Sequence, residues 1–368
     1  MTGEIIVPER EVAQMGYGFT PGAGKRSYEQ PKNSRLGEVF GHWLDAVNVE
    51  AIEDECKRRH CSNRTKRGRL EDAYNFRADI RDIENIEEVG SGEVNSLILQ
   101  YKTHPRISIA GMFITACYNM IGEEQVEFNF DSETPINYIG YKLSSEKTLL
   151  LKEETGKETG AESRGTIVNY STVHGDLGEW ASGRIVNFGV VESDIGQDGG
   201  GVMVLNYGSA RNIRLRICGV NFSSITGAFV WKNDGLCVNM GRVNMINHLG
   251  NGGAAINFGS ADSIGMQSTE IVANFGSPGT HYVKDRKFGP FYGLIMDKAP
   301  DFDGIVADTE ELKKHANIME YFERLKQGLE NFRNADYPNC LGAFDFLEAE
   351  VGGKKELTEK IKALWAGV

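Results

Sequence analysis

The middle of the chain repeats a short phrase: an apolar residue, an asparagine, a mostly aromatic residue, and a glycine or serine. The phrase occurs seven times, with asparagine at Asn169, Asn187, Asn206, Asn221, Asn239, Asn257 and Asn274. Successive asparagines are 18, 19, 15, 18, 18 and 17 residues apart. A unit of about 18 residues cannot bury a core alone, so neighbouring copies must stack on one another.

Glycine and proline indicate which element stacks. Of 44 glycines, 23 lie between Gly156 and Gly279, whereas no proline lies between Pro135 and Pro278. Many turns without proline favour short hydrogen-bonded strands, because proline would remove a donor from the ladder. The sequence therefore predicts an α+β fold around a single-stranded β-solenoid of seven or eight coils with about 18 residues each.

The columns of the repeat predict how each strand is oriented. We expect the residues on both sides of each asparagine to point into the coil, because positions two apart share a strand face. The preceding column is Val168, Val186, Leu205, Val220, Val238, Ile256 and Ala273, and the following one is Tyr170, Phe188, Tyr207, Phe222, Met240, Phe258 and Phe275. The asparagines are expected to form a structural ladder along the axis, with a ligand groove as the alternative.

The flanks of the repeat predict the domain organisation. We expect an extended arm over 1–35, a mainly helical N-terminal cap over 36–124, the solenoid over 125–280 and a C-terminal helical cap over 281–368. Helical patterns cover 36–60, 106–121, 308–332 and 354–366, and QVEFNF and INYIGY are predicted strands before the repeat. Helical segments at both ends would cover the exposed ends of a solenoid.

The segments INYIGYKLSSEKTLLLKEETG, GDLGEWASGRIVNFG and GQDGGGVMVLNYG resemble the GXGXG domain, a glycine-rich right-handed β-helix. This domain closes the large subunit of glutamate synthase and forms one of the subunits of formylmethanofuran dehydrogenase. The resemblance covers about residues 125–280. It implies a right-handed coil that serves as a spacer and docking surface while catalysis takes place elsewhere, and it assigns no catalytic residue to this chain.

One basic segment is a candidate site for nucleic acid or another polyanion. It contains Lys57, Arg58, Arg59, Arg64, Lys66, Arg67 and Arg69. Seven acidic residues follow between Glu71 and Glu88. The alternative to polyanion binding is that these acids neutralise the basic residues within the chain. Cys56, His60 and Cys61 lie in the same region, but a structural zinc site normally needs four ligands, so we expect no metal.

Other motifs are weaker still. The segment GYGFTPGAGKRS resembles a phosphate-binding loop but lacks the required spacing and a preceding strand. Cys218 and Cys237 lie one coil apart at offsets that predict opposite strand faces. No catalytic group can be recognised among the polar residues predicted at bends. These residues are His174, His248, Asp176, Glu179, Asp194 and Asp198.

Composition limits the class of protein. The formal charge of −12 disfavours a protein whose whole surface binds nucleic acid. Scattered cysteines and a charged N-terminus predict a cytoplasmic protein. No apolar stretch approaches the roughly 20 residues that a membrane span needs, so we expect no membrane span. Our first hypothesis is a non-catalytic scaffold, without cofactor, that binds a protein partner or a second copy. The alternatives are a subunit of a metabolic enzyme complex, oxidoreductase or amidotransferase, with a site where solenoid and cap meet, and nucleic-acid binding through 57–69.

Overall fold

The computed structural model describes most of the chain from residue 34 onward. The described residues are 34–49, 80–83, 85–129, 134–197, 201–214, 218–229, 236–248, 254–266, 271–276, 280–283, 286–288, 293–296, 305–307, 316–337, 339–351, 360 and 363. Two predicted segments lie wholly outside the described residues: the phosphate-loop-like segment and the basic segment. The predicted extended arm and the predicted helix over 354–366 lie outside them except for two residues each.

Helices flank a central run of short strands. The described helices are α1 (Ser34–Ala46), α2 (Ser91–Gln100), α3 (Gly111–Tyr118), α4 (Ala316–Glu330) and α5 (Leu341–Val351). The strands are β1 (Gln125–Phe128), β2 (Thr148–Leu151), β3 (Thr166–Asn169), β4 (Thr172–Val173), β5 (Arg184–Asn187), β6 (Val190–Ile195), β7 (Met203–Asn206), β8 (Ser209–Ile213), β9 (Cys218–Asn221), β10 (Ser224–Phe229), β11 (Leu236–Asn239), β12 (Arg242–His248), β13 (Ala254–Asn257), β14 (Ser260–Met266), β15 (Ile271–Asn274), β16 (Thr280–Val283), β17 (Arg286–Phe288), β18 (Gly293–Met296) and β19 (Ile305–Ala307).

The strands form two sheets that wind as a parallel β-solenoid, as the repeat predicts. The asparagine sheet has the order β1-β2-β3-β5-β7-β9-β11-β13-β15-β18-β19, and the second sheet has the order β17-β16-β14-β12-β10-β8-β6-β4. Pairing is parallel up to β15 and β16, after which β17, β18 and β19 pair antiparallel. The solenoid makes about six turns. Parallel pairing also joins β1 and β2 to the asparagine-bearing strands, Phe128 with Leu151 and Leu151 with Asn169.

Strand register explains why the uneven spacing is tolerated. Asn206 pairs with Asn221 although only 15 residues separate them, and Asn221 pairs with Asn239 after 18. The difference is therefore absorbed in the loops. The small column after the aromatic residue is also explained by close approach: a Cβ on Gly259 would lie 1.9 Å from the carbonyl oxygen of Gly241 in the previous coil.

The prediction that the residues on both sides of each asparagine point into the coil is wrong. The asparagines point into the coil, where they are fully or almost fully buried, next to Ile167, Ile185 and Val204. The columns on either side of them point outward and pack against α4 and α5. Both faces of this sheet are buried, so apolar character alone does not distinguish the interior of the coil from its outside.

The N-terminal helices close one end of the solenoid. All eight residues of α3 are buried, as predicted for this segment. The Thr115 hydroxyl accepts a hydrogen bond from the Gly140 amide at 2.7 Å, and the Ser108 carbonyl accepts one from the Asn137 amide at 2.6 Å. The apolar core of these helices is continuous with the interior of the coil. The N-terminal junction of cap and solenoid is thus filled with side chains.

The prediction that INYIGY forms a strand is wrong. Only Ile136 makes a bridge, to Thr155, and the following residues form turns. Tyr138 and Gly140 adopt left-handed backbone conformations, with φ of 64° and 78°. These angles turn the chain at a corner of the first coil, so the apolar residues here line a bend and not a strand.

The two C-terminal helices lie along the side of the solenoid. Phe322 on α4 contacts Phe275 with ring centroids 5.1 Å apart, and Arg333 after α4 donates to the carbonyl of Met240 at 3.1 Å. Arg184 pairs with Glu348 on α5 at 2.9 Å. The C-terminal helical hairpin, α4 with α5, therefore runs along the outer face of the asparagine sheet from late coils to early ones.

Candidate functional site

The outer face of the asparagine sheet is occupied by the protein itself. Its aromatic column stacks from coil to coil, with centroid distances of 5.2 Å for Tyr170–Phe188, 5.0 Å for Phe188–Tyr207 and 4.7 Å for Tyr207–Phe222. The hairpin residues Phe322, Leu325 and Leu329 are buried against this apolar surface. This face is therefore covered and not available to a partner while the hairpin is docked.

The outer face of the second sheet has no comparable cover among the described residues. We call it the open face; it consists of Val190, Glu192, Ser209, Arg211, Ser224, Thr226, Ala228, Arg242, Asn244, Met245, Ser260 and Asp262, all exposed or half-buried. The large hydrophobic residues that the described part exposes are Val190 at 40% and Met245 at 36%, and both lie here. Parallel sheets are normally covered on both faces.

Charge on the open face is only partly compensated. Arg211, Arg242 and Asp262 are exposed and form no ion pair with any other described residue. Arginine and methionine are enriched at protein interfaces. These residues were not predicted from the sequence, although a signal existed. Each asparagine is followed, three residues later, by an outward position and, four residues later, by a buried apolar residue such as Val191, Ile225 or Val243.

His174 joins three successive turns at the edge of the open face. Its Nε2 lies 3.1 Å from a carboxylate oxygen of Glu154, and its Nδ1 lies 3.1 Å from one of Glu192. The hydrogen bond to Glu154 contributes most to raising the pKa of His174 above its ordinary value. A ring with a carboxylate at each nitrogen favours the doubly protonated imidazolium.

A second acidic group lies at the corner between the sheets. Glu179 is buried, its carboxylate accepts a hydrogen bond from the Trp180 indole at 2.9 Å, and it shares a hydrogen bond with Glu158. Burial raises the pKa of Glu179 well above its ordinary value, and Glu158 raises it further. Glu158 and Trp180 also have positive φ, both 58°. With its pKa raised to about 9, this carboxyl favours the neutral form at pH 7, in which its hydroxyl can donate to Glu158.

These acids do not assemble a metal centre. No group of three or more histidine, cysteine, aspartate or glutamate side chains among the described residues is arranged to hold a metal ion. Asp194 instead pairs with Arg214 at 2.8 Å, and its amide donates to Asp176 at 3.1 Å. The side chain of His248 and the whole of Asp198 lie outside what the structure describes.

The asparagine ladder is continuous and saturated with hydrogen bonds. Each amide Nδ2 donates to Oδ1 of the next asparagine, at 2.7–2.8 Å for all six steps from Asn169 to Asn274. Asn221 also donates to the carbonyl of Ser223 and accepts from its amide. Because these groups are buried and paired with one another, they form a structural element and leave no groove for a ligand.

Several predicted site residues are not tested. The seven basic residues from Lys57 to Arg69, together with Cys56, His60 and Cys61, lie outside the described residues, and polyanion binding there stays a prediction. Cys218 and Cys237 are both buried but belong to different clusters, Cys237 inside the coil and Cys218 under the hairpin. This confirms that they lie on opposite faces of the asparagine sheet.

Comparison with known proteins gives no relative from which to transfer a role. The chain matches no protein-family model, no curated protein and no solved structure. In the described part of the chain, every helix is too short or too polar to cross a bilayer.

Proposed function

We propose that the protein is a non-catalytic scaffold or assembly protein that binds a protein partner through the open face. The observation that carries this proposal is the contrast between the two sheets. One outer face is covered by the C-terminal helical hairpin, and the other presents Val190, Met245, Arg211 and Arg242 without a described cover. Stacked repeats provide extended rigid surfaces that suit this role.

Rigidity supports the same role. The asparagine ladder and the stacked aromatic column fix each coil to the next, so the open face is held in a single shape before it meets a partner. A pre-organised surface loses little conformational entropy on binding. The resemblance to the GXGXG domain, which serves as a docking surface in larger enzymes, points in the same direction.

The proposal is tested by site-specific photo-crosslinking in an extract of the native host. A benzophenone amino acid replaces Thr226, at the centre of the open face, or Gln327, on the exposed side of α4, as the matched control. We expect one product of defined mass from the Thr226 position, competed by unmodified protein and weakened by a Met245→Ala, Arg242→Ala variant. No product, or the same product at both positions, would contradict the proposal.

A further inference from the structure

We infer that the partner of the open face is a second copy of this chain. The two copies are related by a two-fold axis that lies in the interface, parallel to the strands, between β10 and β12. This inference rests on the proposed function and names its partner. It is carried by the order of charged and small residues across the open face, which is complementary to itself about this axis.

Strand register defines what the rotation brings together. Ser209, Ser224, Arg242 and Ser260 are register partners on β8, β10, β12 and β14. A two-fold axis between β10 and β12 exchanges these two strands and also exchanges β8 with β14. Because the axis runs along the strands, a residue keeps its position along the strand and meets a register partner on the other copy.

This arrangement gives an ion partner to charged residues that have none among the described residues of their own chain. Arg211 and Asp262 each follow the register-paired residue by two positions, on β8 and β14 respectively. The rotation therefore places Arg211 of one copy opposite the partner's Asp262, and the symmetric pair forms at the other end. Both side chains are exposed and have no ion partner among the described residues of their own chain.

The apolar and small residues also match. Ala228 and Met245 are register partners, so the exposed Met245 of one copy meets the small Ala228 of the other. Arg242 meets Ser224 by the same operation. An isologous contact of this kind makes every favourable pair twice.

Two other in-plane axes are less favourable. An axis that runs through β10 would bring Glu192 on β6 towards the partner's Asp262 on β14. An axis along the length of the solenoid, at the level of Arg211, would place this residue beside the partner's Arg211. Like charges in direct opposition disfavour association, so the charge order favours the axis between β10 and β12 over both.

The size of the face sets the expected strength. Five strands, β6 to β14, lie about 4.8 Å apart and are about six residues long, so they cover on the order of 500 Å² per copy. Two such faces bury about 1,000 Å², which is below the standard size of specific interfaces and typical of weak ones. We therefore expect a dimer with a dissociation constant in the micromolar range, about 1–100 μM, which weakens as salt rises.

Sedimentation velocity from about 1 to 200 μM on the full chain tests the inference. Wild type should shift from monomer to dimer. Arg211→Asp and Asp262→Arg, each alone, should weaken the dimer by about tenfold or more, because each creates two like-charge pairs. An equimolar mixture of the two variants should restore dimerisation, since both opposed pairs then become complementary. Glu323→Arg on the exposed side of α4 is the control and should leave the dimer unchanged.

Failure of self-association can be distinguished from failure of the scaffold function. A strict monomer, a dimer indifferent to both reversals, or a mixture no better than either variant would overturn the inference. If wild type is monomeric but the Thr226 position crosslinks to another protein, self-association fails and the scaffold function stands. If Thr226 forms no product as well, both fail. Far-ultraviolet circular dichroism checks that the variants remain folded.

Discussion

Asn221 shows what the repeated asparagine does at the scale of a single residue. It donates to Asn239 and accepts from Asn206, both at 2.8 Å, in a fully buried site. Asn221→Ala would leave one amide hydrogen of Asn206 and one lone pair of the Asn239 oxygen unpaired in a buried site, although Asn206 still donates to Gly208 and Asn239 still accepts from Gly241. We expect the free energy of unfolding to fall by about 3 kcal/mol or more. Urea unfolding followed by circular dichroism measures this, and the exposed Asn331→Ala should change it by less than about 0.5 kcal/mol. A loss below about 1 kcal/mol for Asn221→Ala would refute the structural role.

Glu179 gives a second prediction at this scale. Its pKa is raised by burial and by Glu158, so the unfolded chain releases a proton that the folded chain retains. The stability associated with this group is therefore complete below pH 4.5 and declines as pH rises through neutrality. Glu179→Gln keeps a donor to Glu158 and an acceptor for Trp180. It should stabilise the protein by about 1–2 kcal/mol at pH 7 and not at pH 4.

Thermal unfolding of wild type and variant at the two pH values checks the Glu179 prediction. The exposed Glu124→Gln serves as the control and should show no pH-dependent difference. Equal effects of Glu179→Gln at pH 4 and pH 7 would mean that this carboxyl ionises normally. The sequence showed Glu179 only as an acid at a bend, because its burial depends on how the next coil is wound over it.

At the scale of the element, His174 links three turns of the solenoid through Glu154 and Glu192. Its raised pKa means that this stabilisation is fully present below the pKa of an unfolded histidine and is lost as pH rises through the folded value. The advantage of wild type over His174→Gln should be larger at pH 5.5 than at pH 8.5. The difference should be about 0.2–1 kcal/mol, because the pairs are partly exposed. An NMR titration showing an ordinary or lowered pKa for His174 would disprove the link.

The elements show which patterns predict structure well and which do not. The repeat predicted strands at each asparagine because a fixed period with alternating character specifies parallel register. It did not reveal which face was interior, since Val168 and Ile167 are equally apolar and both buried. The apolar pattern from Ile136 to Tyr141 wrongly predicts a strand, because the turn there depends on left-handed backbone at Tyr138, which composition does not show.

At the scale of the whole molecule, the protein has one covered side and one open side. The sequence indicated helices after the repeat but not where they pack, because docking α4 and α5 along the asparagine sheet depends on contacts far apart in the chain, such as Arg184 with Glu348. The same limitation hid the open face. Its residues Arg211, Met245 and Asp262 have no shared motif, and they become a surface only when successive coils place them side by side.

Hydroxyl-radical footprinting of Met240 and Met245 compares the covered side of the solenoid with its open side in one experiment. Met240 is 3% exposed beneath the hairpin, Met245 is 36% exposed on the open face, and trypsin cleavage at Arg242 separates them into different peptides. In the free protein, Met245 should be oxidised several times faster than Met240. At concentrations where the protein associates, or with its partner bound, Met245 should become protected while Met240 stays unchanged. Equal oxidation of the two in the free protein, or an unprotected Met245 in the associated state, would contradict the account.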